Sequence, residues 1–161
     1  MQTVDIAAFR ISGASIRTNN ALEASGQGRI GQLWQDYAAT ASSAVAGAQA
    51  YGVYSDYESD ASGDYRLTVG SRDNRDNRDS AEAQAAANGV TVQVQAGSYL
   101  AFRAQGQMPR AVVQAWQTIW AHFAAEQADA LPYVRVYGTD FEHYDAPDSA
   151  VIYIGIAPRQ P

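Results

Sequence analysis

The sequence predicts a single α+β domain. The expected plan is a tandem βαββ repeat with pseudo-two-fold symmetry, an antiparallel sheet carrying two main helices, and a central ligand cleft where the halves meet. Three observations lead there. Two amphipathic helical stripes stand among runs rich in Val, Ile and Tyr, so that each half reads strand, helix, strand, strand. Four landmarks recur in the same order at offsets of 82 to 86: Gly13 as Gly97, Trp34 as Trp116, Asp56-Tyr57-Glu58 as Asp140-Phe141-Glu142, and Tyr65 to Val69 as Val151 to Gly155. The length, 161 residues, fits one domain spanning 1–161, with half-repeats of about 1–71 and 89–161.

In order along the chain, the first strand run covers 3–18 and a loop follows over 19–25. A helix opens near Gly28, where Ile30, Leu33, Trp34, Tyr37, Ala38 and Ala41 form one apolar stripe at helical spacing. Strand runs at 51–58 and 64–70 complete the first half. From Arg72 to Asp79 arginines are followed by aspartates, and an Ala-rich stretch continues to Asn88. This 72–88 segment reads as a solvated connector whose charges cancel locally. The second half opens with a run at 90–102. Its helix starts at Pro109, a residue suited to a first turn because its missing N–H costs nothing there. Val112, Trp116, Ile119 and Phe123 make the stripe, with Val113 and Trp120 at its edge. Runs at 133–144 and 150–156 close the chain.

Composition narrows the function. Ten Tyr, four Phe and three Trp indicate an aromatic-heavy interior. The net charge of −6 repels nucleic acid and anionic membranes. There is no apolar run long enough to span a bilayer and no secretory leader at Met1, so the cytoplasm is the expected compartment. Without cysteine there is no disulfide, thiol nucleophile or thiolate metal site. Gly26 to Gly31 spells GxGxxG and leads into a helix, but no strand precedes it, as dinucleotide binding requires. His122 and His143 lack metal-ligand spacing. No cofactor, metal or catalytic residue is assigned.

Glu142 is the most informative acid. Unbroken alternation over 134–144 puts Val134, Val136, Asp140, Glu142 and Tyr144 on one face, and the valines turn that face toward the core. An inward carboxylate is costly without a hydrogen-bond partner or a cation. Pairing with Arg135 or Arg103, or an exposed strand end, is the alternative. The same alternation puts Tyr153 inward beside Val151. Glu58, the repeat image of Glu142, has the surroundings of a solvated turn. Trp116 lies mid-stripe, where core packing competes with a binding role, and Trp120 lies where a ring would line a cleft. A carboxylate with Tyr and Trp faces suits a hydrophobic cation, each ring contributing roughly 0.5–2 kcal/mol of cation–π attraction.

Several segments together carry a family resemblance. They are Ile16-Arg17-Thr18-Asn19, Gly52-Val53-Tyr54 leading to Asp56-Tyr57-Glu58-Ser59-Asp60, Gly63-Asp64-Tyr65, Gly97-Ser98-Tyr99, Met108-Pro109, Trp116 to Trp120, Asp140 to Tyr144, and Ile152 to Ile156. The chain resembles the integron-cassette effector-binding proteins, a branch of the GyrI-like superfamily whose domain also serves AraC- and MerR-type regulators. The resemblance implies a tandem βαββ fold whose cleft binds amphipathic cations, including drugs and dyes, with Glu142 as the pocket acid. Tyr54 and Tyr99, within matching motifs, join Glu142, Trp116, Trp120, Tyr153 and Glu58 as ligand-binding candidates. No helix-turn-helix segment is present, so a link to transcription would need a separate DNA-binding partner. Two other activities occur among relatives: hydrolysis of reactive cyclopropane compounds by a cleft glutamate, and protein binding of the gyrase-inhibitor kind. A stand-alone small-molecule binder that is not an enzyme is the expectation.

Overall fold

The structure is a computed structural model and describes residues 1–39, 49–72 and 89–161. Its strands are β1 Gln2–Ile6, β2 Phe9–Thr18, β3 Ala50–Ser55, β4 Tyr65–Arg72, β5 Val90–Val94, β6 Gly97–Gln105, β7 Tyr133–Arg135, β8 Asp140–Ala146 and β9 Ser149–Pro158. Its helices among the described residues are α1 Asn20–Ala24, α2 Ile30–Ala38, α3 Arg110–His122 and α4 Ala125–Ala128. The expected connector, Arg72 apart, and Ala41 of the first stripe lie outside the described residues.

All strand pairs are antiparallel, in the order β1-β6-β9-β8-β3-β4-β2-β5, with β7 also on β9. The predicted α+β architecture with an antiparallel sheet is therefore present. The sheet must curl. β1 lies beside β6, yet only residues 7–8 separate it from β2, which would be about 28 Å away in a flat sheet at the usual strand spacing. That link reaches about 10 Å at full extension. The short link between β5 and β6 imposes the same closure from the other edge.

The curl gives the sheet two apolar faces. On one, α2 and α3 cover Leu67, Leu100, Phe102, Ile152 and Ile154, burying Leu33, Val112, Trp116 and Ile119. On the other, inside the curl, Ile11, Tyr51, Val53, Val94, Tyr99 and Phe141 form a second cluster. Strand alternation divides neighbours between the two: Tyr51 and Phe141 to the curl, Tyr54 and Glu142 to the helices.

Three expected strand runs are each broken into two strands. The most consequential break is in 133–144. Arg135 sits opposite Ile156, whereas Phe141 sits opposite Tyr153, so six steps on one side match three on the other. The three extra residues include Tyr137, held at φ 53. An odd insertion exchanges the faces. Val134 and Val136 consequently stand exposed, and Glu142 points inward for a reason other than the valines.

The 19–25 segment, expected as a loop, contains α1. Asn19 caps it by accepting the Leu22 N–H at 2.7 Å. Glu23 of this helix accepts the backbone N–H groups of Arg29 and Ile30 and so caps α2, whose own N-cap residue supplies no side-chain acceptor. A Cβ at Gly28 would lie 1.7 Å from the Glu23 carboxylate, and Gly26 adopts φ +83. The GxGxxG spelling thus serves this turn and brings an internal carboxylate to the start of α2. Asp56-Tyr57-Glu58 lies beyond the end of β3, whereas Asp140-Phe141-Glu142 begins β8, so the two copies occupy different local structures.

Candidate ligand-binding site

Strands β3 and β8 pair in the middle of the sheet, setting Gly52 opposite Glu142 and Tyr54 opposite Asp140. Both acids point to the helix-covered face and are buried, Glu142 at 2% exposure and Asp140 at 0%. Their surroundings differ in one decisive respect.

Asp140 is neutralised. Its Oδ2 accepts from Arg135 Nη2 at 2.7 Å and from Tyr57 OH at 2.6 Å, and its Oδ1 accepts from Gly155 N at 2.8 Å. The guanidinium is buried with it and lies 4.4 Å from the Tyr137 ring, 5.7 Å from Tyr57 and 5.9 Å from Trp116. Burial works against this charge, but Asp140 and the tyrosines outweigh it and hold the arginine protonated.

Glu142 has hydrogen bonds but no cation. Tyr54 OH and Trp116 Nε1 each donate to its Oε1 at 2.7 Å, and Tyr144 OH donates to Oε2 at 2.9 Å. Among the described residues no Arg or His forms an ion pair with it: Arg135 serves Asp140, and Arg103 faces Asp145. Burial raises the carboxyl pKa above its ordinary value even though three hydrogen bonds pull it down. Burial, followed by the charge of Glu142, pushes the Tyr54 and Tyr144 hydroxyls up, so both remain donors.

The rings around this carboxylate form a box. Tyr54 packs edge-on against Trp116 at 5.0 Å, and Trp34 against Tyr144 at 4.8 Å. A Cβ at position 52 would lie 3.1 Å from the Trp34 ring and 3.3 Å from Glu142 Oε2, so glycine there lets α2 bring its tryptophan down onto the acid. Beside the box a cavity of about 400 Å³ opens, lined by Asn20, Ser62, Trp120, Phe123, Arg135 and Tyr137 among others. Trp120, 41% exposed, joins the two, its ring 6.2 Å from that of Trp116.

Of the residues singled out in the sequence, the structure brings Glu142, Tyr54 and Trp116 together and places Trp120 alongside. It does not bring the other three. Tyr153 stacks on Phe141 at 4.6 Å on the curl side, because its register partner is Phe141 and not Glu142. Tyr99 lies in the same inner cluster, its hydroxyl bonded to Gln95 O and Thr139. Glu58 is exposed and accepts the Asp64 N–H at 3.2 Å within its turn. The sequence reading missed Trp34, Tyr144 and the Arg135–Asp140 pair. Tyr144 was within reach, sharing the Glu142 alternation. The pairing of Arg135 depended on the three-residue insertion.

Comparisons with known proteins find similarity over nearly the whole chain. Residues 3–156 match the sequence model described as Cass2, integron-associated effector binding protein. The putative transcriptional regulator protein YobU of Bacillus subtilis is 28% identical over 158 residues, covering 92% of this chain and 91% of YobU. Among solved structures, the integron cassette protein VCH_CASS2, from the mobile metagenome of Vibrio cholerae, superposes with a TM-score of 0.81 at 30% identity, covering 97% of this chain and 95% of that one. SAV2435, solved bound to tetraphenylphosphonium, shares the fold with a TM-score of 0.66 at 17% identity, covering 97% and 93%.

Proposed function

The chain belongs to the integron-associated effector-binding protein family, and from that membership we propose that it binds small amphipathic aromatic cations, with Glu142 as the ligand's counter-charge. Tyr54, Trp116, Trp34 and Tyr144 supply the ring faces, and Trp120 lines the approach. One observation carries this reading: Glu142 is a buried carboxylate in an aromatic box with donors but no cationic partner among the described residues. Two residues away, Asp140 shows how this fold balances the charge of a buried acid, by giving it an arginine. The tetraphenylphosphonium bound by SAV2435 is a lipophilic cation of the proposed class.

The geometry favours binding over hydrolysis. Tyr54, Trp116 and Tyr144 take three of the roughly four acceptor positions of the carboxylate, whereas a general base must reach the proton of an attacking water. The test is calorimetric titration with N-methyl-phenylpyridinium and its neutral isostere methylbiphenyl. The cation is expected to bind at micromolar or better affinity and more tightly than the isostere by roughly 1–3 kcal/mol. Equal affinities would mean that the site selects apolar area alone. Recovery of a hydrolysed electrophile after incubation would favour the enzymatic alternative.

A further inference from the structure

A second cation-binding arrangement surrounds Asp140. Its components are a fully buried carboxylate and the faces of Tyr57, Tyr137 and Trp116, which is what an organic cation requires. Arg135 already fills it, with a buried side chain on Asp140 at 2.7 Å. Arg135 also lines the cavity beside the box, together with Tyr137, and Tyr137 is one of two non-glycine residues among those described with positive φ. Such strain is retained where surrounding contacts fix it. Trp116 touches both arrangements, donating to Glu142 and lying under the guanidinium.

We propose that Arg135 is a built-in occupant that sets the charge capacity of the site at one, so that the protein selects monocations and discriminates against dications of the same shape. This rests on the Glu142 reading and names the ligand class more narrowly. The first positive group finds Glu142. A second, held within the same rigid molecule, meets an acid already paired and ring faces already covered, and it loses hydration without gaining a partner. The overall field works the other way, because a net charge of −6 attracts a dication more strongly than a monocation. Weaker dication binding therefore cannot come from the general field.

N-methyl-phenylpyridinium and methyl viologen have nearly the same shape and carry one and two charges. Calorimetric titration of the full chain with both should show the monocation binding at least ten-fold more tightly. In Arg135→Gln, which frees Asp140 and the three ring faces, that preference should fall at least ten-fold or reverse. In the double variant Arg135→Gln/Asp140→Asn, which removes both buried charges, the monocation preference should return. Equal or tighter binding of methyl viologen by the unaltered protein overturns the proposal even if Arg135→Gln fails to fold. So does a preference that persists unchanged in Arg135→Gln. If Glu142→Gln leaves monocation binding intact, the counter-charge reading fails instead, and binding of neither probe overturns both.

Discussion

Replacing Glu142 by glutamine separates the charge of this side chain from its shape. The amide oxygen can take the place of Oε1 and accept from Tyr54 and Trp116, now at 2.7 Å each. The amide nitrogen replaces Oε2 and donates to the Tyr144 hydroxyl, now 2.9 Å away, once that hydroxyl turns. The second amide N–H and the turned Tyr144 O–H are then left without the carboxylate as acceptor, which limits the gain. Weaker neutral hydrogen bonds are offset by relief of a buried charge, so folding stability should change by no more than about 1 kcal/mol, or about 2–4 °C in Tm. Binding should change much more. A cation about 4 Å from the carboxylate gains about 4 kcal/mol at an effective dielectric of 20, and dehydration of the ligand offsets part of that. A ten-fold loss, about 1.4 kcal/mol, is the least expected. Titration of N-methyl-phenylpyridinium and methylbiphenyl against both proteins, with thermal melts of the empty chains, reads all of this. Affinity for the neutral compound should stay nearly unchanged. Cation affinity within two-fold of the original, combined with a clear drop in Tm, would make Glu142 a structural residue and refute the reasoning.

Cation affinity should rise with pH across a midpoint above the usual glutamate range, because the protonated acid carries no counter-charge; titrations at stepped pH test this, and Glu142→Gln should flatten the profile. The stability effect has the opposite sign. Folded Glu142 keeps its proton to higher pH than the unfolded chain does, so its contribution is full below ordinary glutamate values and lost as pH climbs through the raised pKa. Glu58→Gln should leave ligand affinity and Tm nearly unchanged, since that side chain is exposed in a turn; a stronger effect on binding than that of Glu142→Gln would move the pocket acid to the first half. Tyr99→Phe removes the hydroxyl bonded to Gln95 O and Thr139 and should cost about 1 kcal/mol of stability without altering cation affinity, as melts and titration would show. Glu23→Ala should cost about 0.5–2 kcal/mol by uncapping α2, and an unchanged Tm would show that water replaces the carboxylate there.

The main helices and the strand-rich segments were legible in the sequence because local periodicity governs them. Val112, Trp116 and Ile119 repeat at helical spacing, and their burial follows from it. What escaped depends on insertions and distant pairings. Alternation over 134–144 reached Glu142 through exposed valines, because nothing local announces that Tyr137 takes positive φ and that β7 and β8 are offset by three residues. Tyr153 shares the face of Val151, as alternation requires, but that face is the inside of the curl and not the side of Glu142. Its true face is set by its pairing with Phe141 in the curl, and that long-range register has no local signature. The use of the GxGxxG spelling, clearing space for Glu23, involves a helix too short to show an apolar stripe.

The most direct test of the central claim is a crystal structure of the chain with N-methyl-phenylpyridinium. The pyridinium ring should lie against the Glu142 carboxylate, between the faces of Trp116, Tyr54, Trp34 and Tyr144, with Arg135 still on Asp140. A ligand seated only in the cavity against Phe123 and Tyr137, with Glu142 still enclosed by its three donors, would contradict it.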